Sequence, residues 1–274
     1  MRKIFIPLVI LIMIGLNSEG QSDSYKVYAL NFMNAGKQSA AGSIAGATVS
    51  DTIDVCYMIW FLKGNNGRNI LVDAGYTDSS NASYIRPDQV LKQIGINPSD
   101  ITDIIITHPH CDHVGGLYLF PNGKIWMQRK DFDWFVTDIW RNSAMQIGFS
   151  KTHVRNLIDA SLNGRLYLVD GDNLEIIPGV KVYTGSTHTK ENQYLLVNSE
   201  YGKDILLASD AIWFYMDLWR LKPIENFVLD PEAYVNAMKR MKTLVSDENL
   251  IIPGHDNLVF SKFEKVTERV ALIK

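Results

Sequence analysis

The chain has 274 residues, 46% of them apolar and 21% charged, with a formal net charge of −3. That length and apolar share suit one large core or two fused halves and argue against a disordered chain. The slight acidity, with Lys and Arg scattered along the chain, argues against a nucleic-acid partner, whose phosphates demand a basic stripe; a small-molecule substrate is expected instead.

At the N-terminus, Arg2 and Lys3 precede "IFIPLVILIMIGL", Ile4 to Leu16. This run is short for a bilayer anchor and has the length of a signal-peptide core. Ser18 and Gly20 offer a cleavage site with the mature start near Gln21, and no cysteine stands there to take a lipid. Residues 1–20 are read as a removable export signal and 21–274 as a single domain, periplasmic or secreted, with no stable membrane span after signal removal. An uncleaved anchor is the rival.

Three strands follow, "YKVYALNF" (Tyr25 to Phe32), "DVCYMIWFLKG" (Asp54 to Gly64) and "RNILVDAG" (Arg68 to Gly75), with β-branched and aromatic residues set between Gly and Asn turn signals. They read as a meander. "RPDQVLKQIGI" (Arg86 to Ile96) has an Asp in its first turn and apolar residues at helical spacing, and "ITDIIIT" follows as a buried strand. Directly after it, "HPHCDH" places His108, His110, Asp112 and His113 in a loop at a strand's C-terminal end, where open α/β layers put ligands.

From about residue 131 to 163 the chain reads as helical and aromatic. A second cycle then repeats the order: short strands at Gly164 to Asp170, Val180 to Gly185, Gln193 to Ser199 and Asp204 to Asp210, a helix from Pro231 to Val245, and a buried strand, "NLIIPGHD", Asn249 to Asp256. His188, Asp210 and His255 all fall at strand ends. Five of the six histidines thus sit in such loops beside an Asp, and random placement does not gather them that way. The sixth, His153, reads as a surface or packing residue.

Imidazole and carboxylate together suit zinc, with iron or manganese as substitutes. Three histidines on one ion and a histidine with carboxylates on a second leave each an open position for water, and a hydroxide bridging two cations is a nucleophile near neutral pH. Only two cysteines exist, Cys56 and Cys111, and both are expected as thiols. Cys111 points away if His110 and Asp112 face one site.

"HPHCDH" with His188, Asp210 and His255 resembles the HxHxDH signature and later ligands of the metallo-β-lactamase superfamily, from roughly Tyr25 to the C-terminus. The resemblance implies a four-layer αβ/βα sandwich and two zinc ions per chain. It implies that His108, His110 and His188 hold the first metal, that Asp112, His113 and His255 hold the second, and that Asp210 bridges both. Asp73 in "LVDAG" resembles the family's aspartate that orients a ligating histidine.

Many reactions share this fold. Relatives that reduce oxygen usually carry Glu where His110 stands, and antibiotic-hydrolysing ones lack the aspartate at Asp210. "DVCYMIWFLKGNNGRNILVDAGY", "THPHCDHVGG" and "LLASDA" are most similar to N-acyl homoserine lactonases. This implies a dimetal hydrolase, a quorum-quenching lactonase, that opens a lactone by attack of a metal-bridging hydroxide, with Asp112 and Asp210 in catalytic roles. Hydrolysis of another ester, a thioester, a phosphodiester or a β-lactam is the alternative within the enzyme class. A metal-retaining binding protein without turnover is the rival outside it.

The better-known lactonases place a tyrosine three residues after the bridging aspartate, where this chain has Trp213. Either Tyr215 polarises the carbonyl, or the metals act alone and Trp213 packs against substrate. Trp134, Phe135, Trp140, Met145, Ile147 and Phe149, with Trp213, Phe214 and Trp219, are expected either to wall a groove for an apolar or acylated substrate or to pack in the core. The oligomeric state is left open.

Overall fold

The structure, a computed structural model, describes residues 22–77 and 79–274. The expected export signal lies outside the described residues. In chain order the elements are β1 (Tyr25–Ser39), β2 (Thr52–Gly64), β3 (Asn69–Val72), α1 (Pro87–Lys92), β4 (Asp103–Ile105), α2 (Cys111–Val114), β5 (Lys124–Gln128), α3 (Arg129–Val136), α4 (Lys151–Leu162) and β6 (Leu166–Val169). The second half adds β7 (Leu174–Ile177), β8 (Val180–Tyr183), β9 (Tyr194–Val197), β10 (Ile205–Ser209), α5 (Tyr215–Arg220), α6 (Pro231–Leu244), β11 (Ile251–Pro253), α7 (Val259–Lys262), β12 (Glu264–Lys265) and β13 (Val270–Ile273).

Two sheets result, one of eight strands ordered β12-β13-β1-β2-β3-β4-β5-β6 and one of five ordered β11-β10-β9-β8-β7. Period-two alternation along β2 decides which layer each residue enters. Cys56, Met58, Trp60 and Leu62 point between the sheets and meet Leu195, Val197, Leu207 and Ile252 of the second sheet. Ile59 and Phe61 point the other way, under Val90 and Leu91 of α1, Phe135 of α3 and Leu157 of α4. On the far side of the second sheet, Leu206 and Ala208 pack against Tyr234, Ala237, Met238 and Met241 of α6, which share one helical face. Each such large side chain, fully buried, contributes roughly 1.5–3 kcal/mol. Helix, sheet, sheet, helix: this is the four-layer αβ/βα sandwich.

The β1–β2–β3 meander is antiparallel in register as expected, while β3 to β6 run parallel. β10 and β11 are also parallel, so the loops after β3, β4, β8, β10 and β11 emerge at C-terminal strand ends. α6 starts where expected, with Pro231 in its first turn and Asp230 Oδ1 accepting from the N–H groups of Glu232 and Ala233.

Several expectations shift. β1 runs on to Ser39 because β2 pairs with it over two irregularities, between Asn31 and Met33 and between Asn34 and Gly36. The helix expected from Arg86 to Ile96 stops at Lys92, ahead of the left-handed Gly95. The strand expected from Asn249 to Asp256 is only Ile251–Pro253, and the aromatic insert is two helices separated by short 3₁₀ turns. Sequence reading missed β5, β7, β12, β13 and α5, all of six residues or fewer, too short for periodicity to declare them.

Candidate active site

The HPHCDH motif follows β4 as an extended stretch and then the single helical turn of α2. Cys111 N–H bonds to Gly148 O at 2.8 Å, and Ala74 N–H to His113 O at 2.7 Å, which ties the turn to the loop after β3. A Cβ on Gly116 would stand 2.1 Å from Ala74 O, so only glycine lets the two loops lie together. At the other side, Gly254 N–H bonds to Ile212 O and His255 N–H to Trp213 O, zipping the His255 turn to the Asp210 turn. A Cβ on Gly254 would come within 2.8 Å of the Ser209 backbone. Asp73, Thr187 and Ser209, each beside the cluster, hold positive φ although none is glycine. Such strain costs on the order of 1–3 kcal/mol per residue and persists where the surroundings over-determine it.

The seven expected ligands converge in two groups. In the first, His108 Nε2 lies 2.9 Å from His110 Nδ1 and 3.2 Å from His188 Nε2, which is 3.0 Å from His110 Nδ1 and 3.2 Å from Asp210 Oδ2. In the second, His113 Nε2 lies 3.3 Å from Asp112 Oδ2 and 3.3 Å from Asp210 Oδ1, while His255 Nε2 is 3.1 Å from Asp210 Oδ1 and 3.7 Å from Asp112 Oδ2. The two oxygens of Asp210 therefore face different groups.

A tetrahedron with metal–nitrogen bonds near 2.0 Å has edges of about 3.3 Å, the spacing these donor atoms keep. His113 Nε2 is buried with no hydrogen-bond partner among the described residues, as a nitrogen reserved for a cation would be. The donor set fits two divalent ions.

Electrostatics agree. Burial alone would raise the Asp210 carboxyl, yet His255, His113, His188 and His108 hold it well below the usual range. Burial opposes charge on His113, but Asp112, Asp210 and Asp73 push it well above an ordinary histidine. Burial and then His188 press His110 down to about 3, keeping it the neutral imidazole that metals bind. The pocket demands positive charge.

Around the ligands sits a hydrogen-bond frame. His113 Nδ1–H donates to Asp73 Oδ2 at 2.8 Å, and Asp73 is fixed by Thr107 N–H at 2.7 Å and Thr107 Oγ1 at 2.8 Å. His108 Nδ1–H reaches the same Thr107 hydroxyl at 3.0 Å, and Ser209 Oγ lies 2.9 Å from it. His255 Nδ1–H donates to Cys56 O at 3.0 Å. Asp73 orients a histidine, as the resemblance implied; Thr107 and Ser209 were not singled out in the sequence. The loop carrying His188 is held by Asp131, whose buried carboxylate accepts from Thr189 Oγ1 at 2.6 Å and Glu191 N–H at 2.7 Å. Burial pushes the Asp131 carboxyl up to about 7.

Tyr215 is not brought to the cluster. It opens α5 with its N–H on Asp256 Oδ2; its ring lies in the core between the sheets, stacked on Trp219 with Lys262 Nζ 4.3 Å from the ring centroid. Its hydroxyl has no partner among the described residues. Trp213 precedes α5, and the extended Phe214 between them (φ −133°, ψ 151°) turns the chain into the helix, so Tyr215 enters the core while Trp213 stays at the ligands. Trp213 is the residue that arrives: its indole Nε1–H donates to Asp210 Oδ2 at 2.7 Å.

Two cavities flank the ligands. One, about 250 Å³, is lined by Asp112, Asp210, His255, Trp213, Phe214 and, unforeseen, Tyr57. Burial, then Asp112 and Asp210, push the Tyr57 phenol up to about 12. The other, about 510 Å³, is lined by Trp134, Met145, Ile147 and Phe149 of the insert. His110 and Phe227 border both. Phe135 instead is core, Trp140 packs beside it, and Trp219 is 66% exposed at the surface. Cys56 is buried, Cys111 is half-buried outside the ligand groups, and both are free thiols. His153 also lies outside the ligand groups, next to Gly115. Among the described residues no helix is long and apolar enough to cross a membrane.

A family model for the metallo-β-lactamase superfamily matches residues 52–255. An N-acyl homoserine lactonase of Bacillus sp is 28% identical over 252 residues, 84% of this chain and 94% of that protein. The N-acyl homoserine lactonase AttM of Rhizobium radiobacter is 26% identical over 184 residues, 66% and 67% of the two chains. Among solved structures, an N-acyl homoserine lactone hydrolase with the product N-hexanoyl-L-homoserine at its catalytic metal center matches at TM-score 0.69 and 22% identity, over 91% of this chain and 100% of that one. AidC, a dizinc quorum-quenching lactonase, matches at TM-score 0.67 and 16% identity, over 92% and 97%. The family match spans every ligand from His108 to His255, so the chain belongs to the metallo-β-lactamase superfamily and is a metal-dependent hydrolase with a dimetal site for a small-molecule substrate.

Proposed function

We propose that this hydrolase opens the lactone ring of N-acyl homoserine lactones, with zinc as the resident metal. The observation that carries the reading is the pair of cavities meeting at His110 and Phe227. The compact one, at the carboxylates, suits a ring, and the larger one, walled by Trp134, Met145, Ile147 and Phe149, suits an acyl chain. The lactonase relatives support the same substrate class.

Two zinc ions held by the seven ligands would polarise a carbonyl and supply a nucleophilic water near neutral pH. The protein's own groups then position and move protons. Asp210 keeps the two halves of the site in register through its two oxygens, and Trp213 Nε1–H fixes its plane. Asp112, whose side chain is 20% exposed to the compact cavity, is placed to hold the proton released by the attacking water and pass it to the ring oxygen. Opening consumes one water: a carbon–oxygen bond forms at the carbonyl carbon, the ring carbon–oxygen bond breaks, and the ring oxygen leaves as an alcohol. The new carboxylic acid ionises and releases one proton to solution.

That proton gives the test. Acyl homoserine lactones of graded chain length, mixed with metal-loaded protein in weak buffer, are expected to acidify the solution, faster for longer chains until the groove is filled. Turnover of a β-lactam, thioester or phosphodiester with none of lactones contradicts the reading. We place the enzyme outside the cytoplasm on the strength of Arg2 to Leu16. Fractionation that leaves the full-length chain in the cytosol contradicts that part.

A further inference from the structure

We propose that the phenol of Tyr57, carried on β2, donates a hydrogen bond to the substrate's carbonyl oxygen as negative charge develops there. The inference rests on the lactonase reading for its substrate and on the compact cavity for its geometry. Among the groups lining that cavity, four side chains outside the ligand set carry a donor: Gln38, Ser43, Tyr57 and Trp213. The Trp213 N–H is engaged by Asp210 Oδ2. Gln38 is exposed near the end of β1, and Ser43 lies in the following loop. Of the remaining three, Tyr57 stands against a ligand, its ring centroid 5.1 Å from that of His255 in an edge-on arrangement.

Its placement is built. Ile53, Val55 and Tyr57 are alternate residues of β2, so one strand face lines the cavity. The two irregularities in the β1–β2 pairing are on β1, at Phe32 and Ala35, on either side of the pairs that Met33 and Asn34 make with Tyr57 and Cys56, so β2 itself keeps its alternation there. The neighbouring Cys56 locks the strand to the His255 turn through two bonds, Cys56 N–H to His255 O at 2.9 Å and His255 Nδ1–H to Cys56 O at 3.0 Å. Phe32 and Tyr76 pack against the Tyr57 ring at centroid distances of 6.2 and 5.8 Å. Held on three sides, the ring needs no reorganisation when charge appears, which is what makes an oxyanion donor effective. The hydroxyl makes no hydrogen bond to any described residue, which leaves its proton for the substrate. A phenol stays protonated at neutral pH.

The test is Tyr57→Phe in the metal-loaded full chain, beside Tyr215→Phe. Removing one oxyanion donor costs about 100-fold or more, so kcat and kcat/KM for an acyl homoserine lactone should fall together by about that factor in Tyr57→Phe and stay at wild type in Tyr215→Phe. Calorimetry gives a readout independent of turnover: a phosphonate analogue carrying the tetrahedral oxyanion should bind Tyr57→Phe about 100-fold more weakly, while the ring-opened product binds both proteins alike. Metal content and melting temperature should match wild type. A rise in KM alone, unchanged analogue binding, or a loss of metal that accounts for the whole effect overturns the proposal and returns Tyr57 to packing. If wild type opens lactones and Tyr57→Phe does so equally well, the proposed function stands and only this inference falls. If wild type hydrolyses aryl esters but no lactone, the same pair of variants decides the donor on that carbonyl. Turnover of phosphodiesters alone overturns both.

Discussion

In the half of the site around Asp112, both histidines pass their Nδ1–H to fixed acceptors, His113 to Asp73 Oδ2 at 2.8 Å and His255 to Cys56 O at 3.0 Å. The other half is held differently. His108 leans on the Thr107 hydroxyl, His188 Nδ1 has no partner among the described residues, and His110 is wedged between Phe149 at 4.4 Å and Phe227 at 5.8 Å between ring centroids. An acceptor behind a histidine fixes its tautomer and raises its basicity, whereas ring packing fixes only its position. The contrast says that Asp112, His113 and His255 would hold the second ion in the stiffer, more electron-rich cage. The first would sit against the apolar cavity, and it should be the one a chelator takes first.

The strongest way to break this asymmetry is to remove the residue both halves share. Asp210→Asn should lower hydrolysis by at least ~100-fold while circular dichroism shows the fold intact. Near-wild-type turnover would remove Asp210 from the bridging position. Asp73→Asn sharpens the contrast, since it weakens the acceptor behind His113. Stepwise chelator competition should show the second ion bound about 10–100-fold more weakly, with a smaller change at the first through Thr107. Equal losses at both would contradict the division.

Trp213→Phe probes the first half. It deletes the indole donor on Asp210 Oδ2 but keeps a ring, and should weaken the first ion about tenfold, the size expected of a hydrogen bond to a charged group. Unchanged binding would demote that contact to packing. The smallest effect is on stability. Asp217 accepts from the N–H groups of Trp213 and Phe214, and burial pushes its carboxyl up to about 8. A folded-state value above the unfolded one means that the contribution is full below the ordinary carboxylate range and is lost as pH rises through about 8. Thermal melts between pH 6 and 9 should fall for wild type and flatten by a few degrees in Asp217→Asn, with metal content unchanged. A wild-type slope that survives the substitution would place the titration elsewhere.

The ligand set was legible because metal chemistry restricts both residue type and place: His and Asp recur at the ends of apolar strands, and a strand end can be read from a sequence. The longer strands and the Pro231 helix were legible from alternation and turn signals, whereas their assembly into a four-layer sandwich was implied by the resemblance to the superfamily. What escaped is set by side-chain direction. Tyr215 and Trp213 are two residues apart in a turn whose rotation only the structure fixes, and they fall on opposite sides. Tyr57 sits in an apolar strand where Ile53, Val55, Tyr57, Ile59 and Phe61 share one face; that alternation was visible, but which end of the face meets the ions depends on pairing across two irregularities. Phe227, at φ 61°, lies in a loop with no periodic signal at all.

The central claim, a two-ion hydrolase, is tested most directly by returning metal to chelated protein while counting protons. Zinc is added in steps to the stripped full chain, bound metal is measured by elemental analysis, and acid release from an acyl homoserine lactone is followed at each step. The account predicts no turnover without metal, little with one equivalent, and full rate at two per chain. Turnover that persists in metal-free protein, or a full rate at one equivalent, would contradict it.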